Sequence, residues 1–406
     1  MFPTEYIEKL ANKEKTFYLY SKRMIETRSK ILLSIFKNTF PDFNNYFAVK
    51  ATPNPHILKI MLDLGMGLDC SSDSELEIAK NLKVSPGKII FTSNYTSKED
   101  LLKARQMNVI INLDDSSLVK DLYEVCVKNN LTFPEKLFFR VNPGIGTTNS
   151  ETKSNILGGP EAKFGIESSM IKKTIKEAEK YGMKEYGIHV MTGSNVRDEN
   201  YFLELTKTTI NIIKKLELNP TTLNLGGGLG IPYKETDKEI NLGKVVDNIK
   251  EGLGDMKIRI IMENGRYLTG PAGFLFTKVQ VIKEAFGKRY LGVNACMSNL
   301  MRPGMYGSYH QIINYSNQDE DSHEDIYQVV GNLCENNDWF GKDRKLPKTK
   351  VGDILVITDV GAHGHSMGFQ YNGKLRSGEY LMDKNGVTMI RRKENINDYL
   401  ETIVSI

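Results

Sequence analysis

Short apolar runs recur along the first two thirds of the chain. Longer stretches separate them, with apolar residues spaced three or four positions apart. The runs are "NYFAVKA" (45–51), "GLDC" (67–70), "KIIFTS" (88–93), "VIINLD" (109–114), "KLFFRVNP" (136–143), "YGIHVMTG" (186–193), "TLNLGGG" (222–228) and "IRIIMENG" (258–265). They are rich in β-branched and aromatic residues and nearly continuous in apolarity, as parallel strands buried on both faces are. Between them, "SELEIAKNLK" sets Leu76, Ile78, Ala79 and Leu82 towards one side of a helix. "SMIKKTIKEAEKYG" does the same with Met170, Ile171, Ile175 and Ala178, with Gly182 as a cap. Eight such alternations predict an α/β architecture, a (β/α)8 barrel, although a doubly wound open sheet would alternate in the same way.

The texture changes near residue 275. "GFLFTKVQVIKEAF", "KRYLGVNAC", "DIYQVVGNLC", "GDILVITDVG" and "VTMIRRKE" predict antiparallel strands joined by turns. "KTFYLY" at 15–20 predicts one more strand, ahead of a helix over "SKRMIETRSKILLSIF". The expected organisation is a barrel over 22–274 and a β-rich domain built from 1–21 with 275–406. The polar "NYSNQDEDSHED" at 314–325 reads as a surface loop.

Composition then narrows the function. Of 406 residues, 54 are basic and 50 acidic, a net charge of +4 with no dense basic cluster, which argues against a nucleic-acid partner. No apolar run approaches the roughly 18 residues of a membrane span, and the N-terminus carries no signal-length apolar core. Cys70, Cys126, Cys296 and Cys334 are far apart and form no CxxC pair, which argues against zinc or a disulfide framework and for a reducing cytosol. His363 and His365 have no evident third ligand, so no metal is expected.

In barrels of this kind the chemistry sits at the carboxyl ends of the strands. Those ends carry Lys50, Asp69, Ser93, Asp114, Arg140, His189, Gly226 to Gly228, and Glu263 with Arg266. Each alone could be a polar residue leaving a strand, and a lysine at a barrel mouth often serves an ion pair. "NLGGGLG" at 224–230 is either a tight turn or a cradle in which backbone amides approach an anion. A lysine, a phosphate cradle and a carboxylate that keeps a ring nitrogen protonated are together what pyridoxal 5′-phosphate requires.

Here the sequence resembles a known family. "YFAVKATPNP", "GLDCSSDSELE", "FFRVNPG", "KFGI", "LNLGGGLGIPY", "MENGRYLTGPAGFL", "NLMRPGMYGSYH", "GNLCENNDWFGKDRKLP" and "DVGAHGHSMGFQYNGKLR" are similar, in order, to segments of the barrel-type pyridoxal-phosphate decarboxylases. The diaminopimelate decarboxylase subgroup is the most similar, through "MRPGMYGSYH", "CENNDWFGKDR" and "SMGFQYNGKLR".

The resemblance implies a pyridoxal-phosphate-dependent conversion of meso-2,6-diaminopimelate to L-lysine and carbon dioxide. It implies that Lys50 bonds the cofactor and Glu263 pairs with its ring nitrogen. Gly226, Gly227 and Gly228, with Ser194 and the backbone of Asn264, Gly265 and Arg266, would hold its phosphate. Asp69, Glu75, Arg140 and His189 would surround it. Cys334 would be the general acid, Glu335 would contact the substrate's far amino group, and Arg302, Tyr306 and Arg266 would bind its distal carboxylate. The Cys334 segment would enter the other subunit's site, implying a homodimer with the β-rich domain at its interface.

Three positions depart from the family pattern. Met191 stands where a second histidine is usual, His363 where a tyrosine reaches towards the phosphate and the substrate, and Asn264 where proline is common. They keep other readings open: a decarboxylase for ornithine, arginine, lysine or a carboxylated polyamine, or a cofactor-binding regulator without catalysis.

Overall fold

The structure, a computed structural model, describes residues 2–148, 156–318 and 324–404. It divides into two compact units: Met1–Ile25 with Pro232–Asp237 and Leu268–Ile406, and Glu26–Ile231 with Lys238–Tyr267. A first strand, β1 (Thr16–Ser21), belongs to the former.

The latter unit holds β2 (Asn44–Ala48), β3 (Gly67–Cys70), β4 (Ile89–Thr92), β5 (Ile110–Leu113), β6 (Lys136–Asn142), β7 (Glu185–His189), β8 (Thr222–Asn224) and β9 (Arg259–Met262). Each pairs in parallel with the next, and Ile261 of β9 returns to Asn44 of β2, so the sheet closes as a (β/α)8 barrel. One strand of each apolar run lies in it. Inside, Tyr46, Ile90, Phe138 and Ile261 pack together. Gly67 and Gly187 make room for them: a Cβ there would stand 2.3 Å from the Tyr46 ring and 2.5 Å from the Phe138 ring.

Helices leave the strand ends through sequence-encoded caps. Asn54, Ser72 and Ser97 each accept an amide N–H of the turn they start; such a cap contributes about 1 kcal/mol. In Ser168–Lys180, Ile171, Ile175 and Ala178 are buried, whereas Met170 is exposed. Adjacent residues are about 100° apart on a helix, and Met170, one step before Ile171, falls outside the buried face that Ile171, Thr174, Ile175 and Ala178 share. In Asp73–Asn81 only Leu76 and Ala79 are fully buried, and Ile78 is half-buried for the same reason.

The other unit contains β10 (Gly273–Ala285), β11 (Lys288–Val293), β12 (Ile312–Asn314), β13 (Glu324–Val330), β14 (Trp339–Pro347), β15 (Ile354–Ile357), β16 (Gly378–Asp383) and β17 (Gly386–Arg391). Its main path is β14-β13-β11-β10-β1-β16-β17, with β15 pairing β10 and β12. The expectation of antiparallel strands needs correction, because β1 runs parallel to β16 and β11 parallel to β13. Long connections separate both pairs, so the chain can return to the starting end before pairing. Ile7 and Ala11 of an unanticipated helix, Thr4–Glu14, join Phe17, Leu19, Phe276, Val356 and Tyr380 in this unit's core.

Strand β14 is also missed by the pattern. Its "GKDRK" centre reads as polar because it lies at a sheet edge, where charge discourages further pairing. Of the expected loop at 314–325, residues 319–323 lie outside the described residues; Asn314 ends β12 and Glu324 opens β13. Among the described residues, no helix is long and apolar enough to cross a membrane.

Candidate active site

Strand β2 ends at Ala48, and a single 3-10 turn, Val49–Ala51, lifts Lys50 off the barrel end. Val49 and Ala51 are buried while Lys50 is exposed. The Pro-Asn-Pro that follows is a helix start: Asn54 Oδ1 accepts the His56 N–H at 3.1 Å, with Pro55 in the first turn.

The Lys50 charge acts on three largely buried carboxyl groups, Asp69, Glu75 and Glu263, favouring the ionised form of each. Their environments separate them. Asp69 is pushed well up, first by burial and then by the charge of Glu263. Glu75 is also raised by burial, against the Ser71 N–H that donates to its Oε2 at 2.7 Å. Burial alone would raise Glu263 too, but His189, Asn224 and Lys50 outweigh it and hold this carboxyl low. His189 Nε2 lies 3.1 Å from Glu263 Oε2, and Asn224 Nδ2 donates to Oε1 at 2.6 Å. Since a carboxylate only accepts, the imidazole proton is on Nε2. Glu263 is therefore favoured as the anion, whereas burial and the charge of Glu263 push Asp69 towards its protonated form.

Arg140 braces the barrel end. Its guanidinium donates to Asn94 Oδ1 at 2.9 Å, Asp114 Oδ1 at 3.2 Å and the Met191 carbonyl at 3.3 Å, and it lies over the Phe164 ring. Ser93 is buried at the end of β4.

After β8 the chain crosses close to its neighbours. A Cβ on Gly226 would stand 2.6 Å from the Val190 carbonyl oxygen, one on Gly227 2.6 Å from that of Glu263, and one on Gly228 2.9 Å from that of Gly193. Gly226 and Gly228 also take φ of +63° and +100°. The Gly226 N–H donates to Asn224 Oδ1 at 2.9 Å, the Gly227 N–H to Met191 Sδ at 3.2 Å, and the Leu229 N–H to Asn264 Oδ1 at 3.2 Å. Beside this turn, Arg266 Nη2 donates to Ser194 Oγ at 3.4 Å. Gly265 packs on the lysine turn, where an added Cβ would be 2.7 Å from that of Ala51.

These residues fit pyridoxal 5′-phosphate. Asp69 Oδ1 and His189 Nδ1 are buried with no hydrogen-bond partner among the described residues, so polar capacity is left at the barrel end. A fixed carboxylate, an exposed amine and a glycine turn complete the donor set that such a group needs.

The remaining expected residues lie in the other unit. Arg302 is buried; its Nη1 donates to Tyr233 Oη at 2.9 Å and lies 3.3 Å from His310 Nε2, and its Nη2 donates to Ser308 Oγ at 3.5 Å. Tyr306 closes the same short helix and is half-buried. Cys334 is exposed, and its N–H donates to Asn372 Oδ1 at 2.7 Å. Glu335 Oε1 accepts the Asn337 N–H at 3.1 Å. His363 is half-buried at φ +56°, whereas His365 is buried between the Ser377 carbonyl and Arg376. No cluster of metal-ligating side chains occurs among the described residues.

Four supporting residues escaped the sequence reading. Asn224 joins Glu263 to the glycine turn, Asn45 pairs with Asn264, Tyr233 holds Arg302, and Asp338 accepts the Met297 and Leu333 N–H groups beside the Cys334 segment. Asn45 and Asn224 carried a usable signal, an amide inside an otherwise apolar run; the other two carried none.

Comparison with known proteins identifies the family. The sequence profile of the family described as "Pyridoxal-dependent decarboxylase, pyridoxal binding domain" matches residues 28–270. Protein TabA of Pseudomonas amygdali pv. tabaci is 35% identical, over 98% of this chain and 93% of its own. Diaminopimelate decarboxylase of Methanocaldococcus jannaschii is also 35% identical, over 94% of this chain and 90% of its own. The crystal structure of Helicobacter pylori diaminopimelate decarboxylase complexed with L-lysine superposes with a TM-score of 0.89 at 27% identity, covering 98% of both chains. With the closed barrel, the glycine turn and a profile match across the whole barrel, this chain belongs to the pyridoxal-dependent decarboxylases.

Proposed function

We propose that the chain decarboxylates meso-2,6-diaminopimelate to L-lysine and carbon dioxide, the last step of lysine biosynthesis. The near full-length similarity to curated diaminopimelate decarboxylases supports the substrate class. The observation that carries the choice of substrate is the buried Arg302, whose planar fork suits a distal carboxylate. Ornithine, lysine and arginine end in a cation instead and call for acidic groups at that position.

Bound pyridoxal phosphate supplies an electron sink for the pair left behind when the substrate's carboxylate departs as carbon dioxide. The chain's own residues do the rest. Lys50 would supply the amine that anchors the cofactor. Glu263, held ionised by His189 and Asn224, keeps a proton on the ring nitrogen. The Gly226–Gly228 turn, Ser194, the backbone of Asn264 to Arg266, and His363 hold the phosphate. Arg302, Tyr306 and Arg266 receive the distal carboxylate, and Glu335 the distal ammonium. Cys334 Sγ delivers the proton that replaces the carboxylate. In this reading two copies associate, and the Cys334 segment of each serves the other's lysine. Mixing Lys50→Ala with Cys334→Ala protein then restores about a quarter of wild-type activity, because one hybrid site in each mixed dimer keeps both residues. Absence of restoration rejects the shared site.

The substrate test is product identification by mass after separate incubation with meso-diaminopimelate, ornithine, lysine and arginine. Lysine formed from diaminopimelate alone agrees with the assignment. Product from another substrate, with diaminopimelate untouched, overturns it. A second reading, decarboxylation of a different amino acid, is motivated by Met191 and His363, which stand where the family pattern has histidine and tyrosine.

A further inference from the structure

The seam where the first and last barrel strands meet is the shortest ladder of the closed sheet. Strands β2 and β9 share two register pairs, Ile261 with Asn44 and Met262 with Asn45, where the other neighbours share three or more. Past its end, side chains take over. Asn45 and Asn264 are 0% and 1% exposed. The Asn264 N–H donates to Asn45 Oδ1 at 2.9 Å, Asn264 Nδ2 donates to the same oxygen at 3.2 Å, and Asn45 Nδ2 donates to the Asn264 carbonyl at 3.1 Å. Asn264 Oδ1 then accepts the Leu229 N–H at 3.2 Å.

We propose that Asn45 and Asn264 are a positioning pair that sets Lys50, Glu263 and the glycine turn at fixed heights relative to one another. Asn45 lies on the strand that delivers Lys50, Asn264 directly follows Glu263, and Leu229 directly follows the three glycines. One buried amide pair thus ties together the elements that carry the amine, the carboxylate and the phosphate turn. A fully bonded buried network is rigid, and deleting one member strands the partner's polar groups rather than letting them find water. Gly265 against Ala51 closes the same seam from outside the network. The inference rests on the reading that Glu263 and the glycine turn hold pyridoxal phosphate.

The test reconstitutes apo-protein with pyridoxal 5′-phosphate and follows the visible absorbance of the lysine-bound cofactor against concentration and pH. Asn45→Leu is expected to weaken cofactor binding about tenfold, the effect of one unpaired buried amide, and to displace the pH profile of the bound absorbance. Asn45→Ser, which keeps a small acceptor for the Asn264 N–H, should recover part of both effects and serves if the leucine variant does not fold. Wild-type affinity and an unmoved pH profile in a variant whose melting temperature falls would show a purely structural pair and overturn the proposal. A wild-type protein without Lys50-dependent absorbance would overturn the cofactor reading and the pair's role with it.

Discussion

The thioether sulfur of Met191 lies 3.2 Å from the Gly227 amide nitrogen and accepts its N–H. Sulfur is a weak acceptor, so this bond satisfies the amide without competing strongly with a phosphate oxygen. Met191→Leu keeps the volume and removes the acceptor. Cofactor affinity should then stay equal or rise a few fold, while stability falls by less than about 1.5 kcal/mol. Calorimetric titration with pyridoxal phosphate and a melting curve check both; a clear loss of affinity would mean that the sulfur contacts the cofactor itself.

Lys50 stands exposed at the end of a buried strand, with three carboxyl groups favoured in their ionised forms by its charge. Lys50→Ala should abolish the visible absorbance of reconstituted protein and turnover together, leaving the melting temperature of the apo-protein nearly unchanged. Turnover that survives would remove the amine from the mechanism.

The Glu263 carboxyl is held low by His189 and Asn224, against burial. Glu263→Gln keeps the shape but cannot hold a ring proton by charge, so kcat should fall roughly a hundredfold or more while the cofactor still binds. Steady-state kinetics on fully loaded protein decides this; an unchanged kcat would assign the ring nitrogen to another partner.

At Arg302, a lysine preserves charge but not the planar fork. Arg302→Lys should raise KM for diaminopimelate by about tenfold, and Arg302→Ala should raise it further, with the cofactor spectrum untouched. Equal KM values in all three proteins would place the distal carboxylate elsewhere.

His365 offers a pH prediction. Its folded pKa is lowered from 6.5 to about 4, chiefly by burial, with the charges of Arg376 and Arg391 acting in the same direction and Glu379 opposing. Between these values the unfolded chain binds a proton that the folded chain does not, so stability rises with pH across the window. It is fully present above about pH 6.5 and is lost on acidification, by on the order of 3 kcal/mol near pH 4. His365→Gln can still accept from Arg376 and donate to the Ser377 carbonyl, so its melting temperature should fall less steeply between pH 6.5 and pH 4. Parallel curves for the two proteins would show that other groups govern acid unfolding.

The eight apolar runs determined eight strands, because strands buried on both faces must be apolar throughout, and that requirement is local; that they close into a barrel rather than lie as an open sheet was decided by the pairing of Ile261 with Asn44. Caps at Asn54, Ser72 and Ser97 were local too. Strand direction in the β-rich unit was not: whether β1 meets β16 in parallel depends on a partner more than 350 residues away. The short helix patterns misplaced Met170 because neighbouring apolar residues leave the facing angle undecided.

At the candidate site, the chain alone marked out Lys50, Asp69, Arg140, His189 and Glu263 by their position after apolar runs. It left open which of two buried acids is pushed up and which is held low, since that depends on how deeply each is buried and which donors reach it. Only the tertiary structure puts His189 and Asn224 on Glu263 while leaving Asp69 Oδ1 without a partner among the described residues, and joins Asn45 to Asn264 across 219 positions of sequence. A residue's type and periodicity are properties of the chain; its protonation and its partners are set by whatever the closed barrel brings within hydrogen-bond reach.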